Sequence, residues 1–208
     1  MIDASLNEVE AIATKAARGA GLSWGLCEDT GKAARWLAHC GIDWSASLVA
    51  LLNTHHQCRG PLDTSTDRRL SPLLAGTYIA DLGVPEAVLA DVAYPAWLLP
   101  FASRVAAHGG NAVRLRWGGL SVIVWPIGCD VADTQSELQT PEAAQISCAL
   151  VTPGRMSTES FVTLPRCTRS AIASSDWRTL EGLGARTYVP ASARSRAKGA
   201  GAGSIDND

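Results

Sequence analysis

Apolar residues recur at three- and four-residue spacing through the first part of the chain and at every second residue through much of the rest. The first pattern is that of helices with one buried stripe, the second that of strands with one buried face. Ser5-Leu6-Asn7-Glu8 has the form of a capping box. Leu6, Val9, Ala13, Ala16 and Ala20 follow at helical spacing, and Gly19-Ala20-Gly21 stops the run. A second helix is expected from Ser23 to Cys40, burying Leu26, Ala33, Ala34, Leu37 and Cys40 and ending at Gly41. A third starts near Asp43 or Ser45 and carries Leu48, Val49, Leu51 and Leu52. Short glycine links between them point to helices packed on one another. Residues 53–71 are polar and read as a long loop, a feature that is often functional. Ser71-Pro72 opens a further helix that stops at Gly83, and residues 85–94 fit helix or strand.

Residues 95–126 form the centre of the pattern: an apolar helix, a Gly-Gly stop, then two alternating runs around a second Gly-Gly. Trp97, Leu98, Phe101 and Val105 make one apolar stripe, which kinks at Pro100 or restarts at Leu99. Val113, Leu115 and Trp117 alternate with Arg114 and Arg116, and Leu120, Val122 and Val124 with Ser121, Ile123 and Trp125. A two-residue turn at Gly118-Gly119 sets Trp117 against Leu120, Leu115 against Val122 and Val113 against Val124 on one face. The other face then holds Arg114, Arg116, Ile123 and Trp125, with an arginine across the Trp125 ring. That face reads either as a solvated surface or as a binding surface for an acidic or planar ligand.

Residues 130–142 are acidic and read as an exposed connection. Strands are expected over 145–152, 161–164 and 167–173, and a helix capped by Ser175 bears Trp177, Leu180 and Leu183. The fold class is α+β: an N-terminal bundle of about three to four helices packed with a C-terminal, mostly antiparallel sheet plus one or two helices. Residues 1–84 form the helical part, 85–190 the sheet part packed on it as one globular unit, and 191–208 a flexible glycine-rich tail.

Composition narrows the function without naming it. With 208 residues, 47% hydrophobic and 18% charged, the chain can bury one sizeable core. A net charge of −2 argues against nucleic acid, and no apolar run reaches membrane-spanning length. The start lacks the pattern of a secretory signal, so a bacterial cytoplasmic protein is expected. The six cysteines form no C-x-x-C pair and read as small buried hydrophobes. His55-His56 reads as a solvated pair at a helix end, with no third ligand nearby, so no metal is expected. No motif specifies a cofactor or a reaction.

Three segments carry a resemblance: residues 5–37 (SLNEVEAIATKAARGAGLSWGLCEDTGKAARWL), the strand VRLRW, and residues 185–208 (ARTYVPASARSRAKGAGAGSIDND). Together they resemble an uncharacterised bacterial family of about this length, the domain of unknown function 3726, over essentially the whole chain. The resemblance implies no activity and no catalytic residues. The N-terminal helical hairpin is also similar to that of the non-Rossmann malate/lactate dehydrogenases, but the histidine motif of that family is absent.

Two function classes follow. One is a small-molecule-binding protein or metabolic enzyme for an anionic, carboxylate-bearing metabolite. Its site would lie between helices and sheet and use Trp24, Glu28, Arg35, Arg114 and Arg116. Asp206 and Asp208 of the tail would close over those arginines as a lid. The other is a non-catalytic accessory subunit that docks on an acidic protein partner through its arginine-rich C-terminal region and tail. A homo-oligomer is compatible with either class.

Overall fold

Helices on one side and an antiparallel sheet on the other meet across one hydrophobic core. The computed structural model describes residues 1–83, 86–132, 135–151 and 160–188. Six helices are seen: α1 (Leu6–Gly19), α2 (Trp24–His39), α3 (Ser45–Thr54), α4 (Pro72–Leu82), α5 (Leu99–Gly109) and α6 (Ser174–Ala185). The strands are β1 (Ile2–Ser5), β2 (Ala87–Ala93), β3 (Val113–Trp117), β4 (Leu120–Val124), β5 (Cys129–Ala132), β6 (Glu142–Leu150), β7 (Phe161–Thr163) and β8 (Arg169–Ile172). Six of them form one sheet in the order β2-β6-β3-β4-β5-β7, and β1 pairs with β8 in a separate ribbon. All these strand pairs are antiparallel. The α+β class read from the pattern is therefore the observed one.

Local chemistry sets the helix ends. Ser5 Oγ accepts from Glu8 N–H at 3.3 Å, and Ser5 N–H donates to Glu8 Oε2 at 2.8 Å, completing the capping box. The Ser5 N–H, together with the Ser5 hydroxyl that donates to the same Oε2 at 2.7 Å, holds the Glu8 carboxyl below its ordinary pKa. α1 and α2 pack closely because Gly31 has no side chain; a Cβ there would lie 2.0 Å from Thr14 Oγ1. Pro100 is the second residue of α5, where its missing N–H costs nothing, and a 3-10 turn over Pro95–Leu98 precedes it. The helix restarts at Leu99, one of the two outcomes expected.

α5 lies on the β3–β4 hairpin, and the hairpin has the expected register: Val113 with Val124, Leu115 with Val122, Trp117 with Leu120. β6 adds Ile146 and Cys148 to the same inner face. Burying side chains of this size stabilises by about 1.5–3 kcal/mol each.

Three local readings are corrected, and one strand is added. The stretch read as an exposed acidic connection holds β5, a 3-10 turn over Gln135–Gln139 and the start of β6. Val131 and Leu138 within it are buried. Residues Ile2–Ser5, for which the pattern predicted no element, form β1. The last helix begins at Ser174 with Ala173 at its cap, so Ser175 lies inside it. Among the described residues no arginine stacks on Trp125; its indole N–H donates to Asp130 Oδ2 at 2.7 Å. An arginine contact on that face joins Arg114 to Phe161, at 5.9 Å from the ring centre.

Candidate functional site

The outer face of the six-stranded sheet is built by the residues that alternate with the core. Arg114 and Arg116 on β3 stand opposite Ile123 and Ser121 on β4, and opposite Ala149 and Ser147 on β6. Ser121 and Ile123 are each only 4% exposed, so this is not a plain solvated surface. Arg116 Nε donates to Ser121 Oγ at 3.4 Å. Arg114 Nε is buried and has no hydrogen-bond partner among the described residues. Asp130 ties β5 to its neighbours: Oδ2 accepts from Trp125 and Oδ1 accepts from Thr163 Oγ1 at 2.7 Å.

A cleft of about 780 Å³ opens beside Arg116. Its polar lining comes from Arg116, Glu137, Thr140, Glu142, Gln145 and Ser147. Both carboxylates are engaged within the protein. Glu137 Oε2 accepts from Gly119 N–H at 2.9 Å, and Glu142 is ion-paired with Arg69 at 2.5 Å. The Glu137 contact also explains the glycine turn. Gly118 has φ +53°, and a Cβ on it would sit 2.7 Å from Glu137 Oε2.

A second cleft of about 230 Å³ adjoins the first through Glu142, Ala143 and Ala144, and adds Arg68, Arg69 and Asp91. The loop beside it is pinned by Arg59, whose guanidinium donates to the carbonyls of Asp63, Arg68 and Ala90. Asp91 has φ +53° in the middle of β2, a conformation strained for a residue with a side chain. Its carbonyl accepts from Leu70 N–H at 2.8 Å. Beyond Asp91 the exposure pattern of β2 switches: Val88 and Ala90 are exposed, while Val92 and Ala93 are buried.

The residues expected to form one site are split. Arg114 and Arg116 are on the sheet face that points away from the helices. Trp24 is 66% exposed, with Arg18 stacked 3.9 Å above its ring. Glu28 pairs with Lys32 at 4.0 Å on the surface of α2. Arg35 is bonded to Asn7 at 2.8 Å and Glu10 at 3.0 Å on α1. These three therefore belong to the helical surface, and Arg35 fastens α2 to α1. Asp206 and Asp208 lie outside the described residues. His55 and His56 sit edge-on at the 3-10 turn after α3, and His55 Nδ1 is 2.9 Å from the Leu52 carbonyl. Among the described residues, no group of three or more His, Cys, Asp or Glu converges as a metal site.

Gln145, Ser147, Thr140 and Glu137 were not singled out from sequence. Alternation along β6 carried a signal for Gln145 and Ser147, since both alternate with Ile146 and Cys148. Nothing local marks Glu137 or Thr140, which reach the cleft from the 3-10 turn and the link after it.

The fold and cleft define an α+β protein with a helical layer on one sheet face and an arginine-bearing cleft on the other. Residues 4–73 match a family model described as Protein of unknown function (DUF3726), the family that the three segments together resemble. The VRLRW strand and the tail lie outside the matched residues. No curated protein and no solved structure matches the chain. Among the described residues no helix is long and apolar enough to cross a membrane.

Proposed function

We propose that this protein binds a small carboxylate-bearing anion in the outer-face cleft, as a bacterial cytosolic ligand-binding protein. The observation that carries the reading is the lining of the cleft. Arg116 brings a guanidinium, and Gln145, Ser147 and Thr140 bring neutral hydrogen-bonding groups, to the wall of a space of about 780 Å³. Guanidinium groups recognise carboxylates through two parallel hydrogen bonds, which gives orientation as well as affinity. An enzyme acting on such an anion would use the same cleft. The accessory-subunit reading draws less support. Arg166, Arg169 and Arg178 in the C-terminal region are bonded locally, to Ile127, Asp3 and Ser174.

Thermal melts with malonate, succinate or citrate, against chloride at equal ionic strength, test the reading. A ligand that binds only the folded state raises Tm with concentration. At least one carboxylate should do so in the wild type, and Arg116→Gln should lose the shift. No shift with any of the three, or an undiminished shift in the variant, overturns the proposal.

A further inference from the structure

A separate cavity of about 270 Å³ lies between α2 and α5, away from the sheet's outer face. Its apolar walls include Ala33, Trp36, Pro100, Phe101 and Pro126. The Trp36 indole N–H is satisfied inside the protein: it donates to Ser103 Oγ at 3.1 Å, and that hydroxyl donates to the Pro126 carbonyl at 2.9 Å. Trp36 therefore offers a ligand carbon surface and no unpaired donor.

The polar end of the cavity is different. Asp29, whose side chain is 17% exposed, pairs through Oδ1 with Arg104 at 3.0 Å. Arg104 is shared with Asp81, at 3.4 Å, so two carboxylates draw on one guanidinium. Among the described residues, the hydrogen bond to the other oxygen of Asp29 is a long one, from Thr77 Oγ1 at 3.5 Å. That hydroxyl has one proton, and its shorter contact is with the Leu73 carbonyl at 2.9 Å. Asp29 Oδ2 is thus an acceptor without a committed donor. Lys32 lines the same cavity, and its pairing with Glu28 at 4.0 Å is between two side chains more than 60% exposed. Such a pair contributes little and exchanges readily.

An acceptor carboxylate, an ammonium and an apolar wall around one small space match the three parts of an amino acid. We infer that this cavity binds an apolar α-amino acid. Asp29 takes the ligand's ammonium, Lys32 takes its carboxylate, and its side chain packs on Trp36 and Phe101. The volume falls just below the roughly 300–1,000 Å³ of sites for drug-sized ligands, which suits one small metabolite. This site is independent of the anion cleft.

Isothermal titration of the full chain with L-leucine and L-phenylalanine tests it. The controls are isoamylamine and phenethylamine, which lack the carboxylate, and 4-methylvalerate and hydrocinnamate, which lack the amine. A site built on charge-assisted hydrogen bonds rejects ligands that leave a partner unpaired. At least one amino acid should therefore bind about ten-fold or more tightly than either of its truncated analogues. Asp29→Asn should abolish binding. Lys32→Ala, at an exposed position that leaves the fold intact, should weaken the amino acid but leave the amine analogue unchanged. Arg116→Gln should leave this binding as it is. Absence of binding by both amino acids at about 10 mM, equal binding of amine and amino acid, or unchanged affinity in Lys32→Ala overturns the inference.

Discussion

The two faces of the six-stranded sheet come from the same strands, offset by one residue, yet they obey different rules. The inner face, with Val113, Leu115, Trp117, Val122, Val124, Ile146 and Cys148, is uniformly apolar and closed by helices. Its identity follows from alternation alone, because any apolar side chain of suitable size serves. The outer face mixes Arg114, Arg116, Ser121, Ile123, Ser147 and Asp130, and several side chains there have particular partners: Arg114 approaches Phe161, Arg116 bonds to Ser121, and Asp130 accepts from Trp125 and Thr163. Its meaning depends on contacts made by distant segments such as Glu137 and Phe161. Stability therefore resides mainly on the inner face, the proposed binding site lies on the outer one, and substitutions should separate the two.

The largest effect should be on the inner side. Trp117→Ala removes a buried ring and should cost about 3–5 kcal/mol, whereas Arg116→Ala one position earlier should cost no more than about 1 kcal/mol. Urea midpoints compare them directly. Similar losses at both positions would break the division of labour between the faces.

Alkaline titration probes the inner face by a second route. Burial raises the Cys148 thiol from its ordinary 9.0 to about 11. The folded value lies above the unfolded one, so the neutral thiol's contribution is fully present below pH 9 and is lost as pH rises through 11. The loss is on the order of 2 kcal/mol. Cys148→Ala should flatten the decline in urea midpoint across that window. An equally steep decline in the variant would place the alkaline sensitivity elsewhere.

Gly118 sits where the two faces meet at the hairpin turn. Gly118→Ala should cost about 1–2 kcal/mol, through its positive φ and the approach of Glu137. Adding Glu137→Ala relieves the contact but not the backbone strain, so the double variant should lose less than the sum of the singles. Strict additivity in denaturant melts would mean that Glu137 does not shape the turn.

The hairpin register, an interruption near Pro100 and the helical layer were legible in sequence, because each rests on neighbours a few residues apart. The cleft was legible only in part. Arg116 could be found because it alternates with Leu115 and Trp117. Grouping it with Trp24, Glu28 and Arg35 failed because nothing local says on which side of the sheet the helices settle. The pairing of β1 with β8 was invisible for a related reason: Ile2 meets Ile172 across nearly the whole chain. The switch of faces at Asp91 also breaks the alternation on which strand reading depends.

That switch supplies the finest test of the comparison. Asp91 turns its carbonyl to Leu70 at the cost of a positive φ, and Val92 beyond it becomes core. Aspartate tolerates this conformation better than most residues, so the strain is near the low end of the roughly 1–3 kcal/mol range. Asp91→Gly removes the strain but adds freedom to the unfolded chain, worth about 0.4–1 kcal/mol in the opposite sense. The two nearly cancel, and the urea midpoint should move by less than about 0.5 kcal/mol. Asp91→Val cannot adopt the turn cheaply and should cost about 1–2 kcal/mol more than the glycine variant. Because the backbone and not the carboxylate fixes the switch, Asp91→Gly should also leave Val92 and Ala93 protected from amide exchange. Loss of that protection in the glycine variant would show that the aspartate side chain, and not its φ, holds the two faces in their exchanged order.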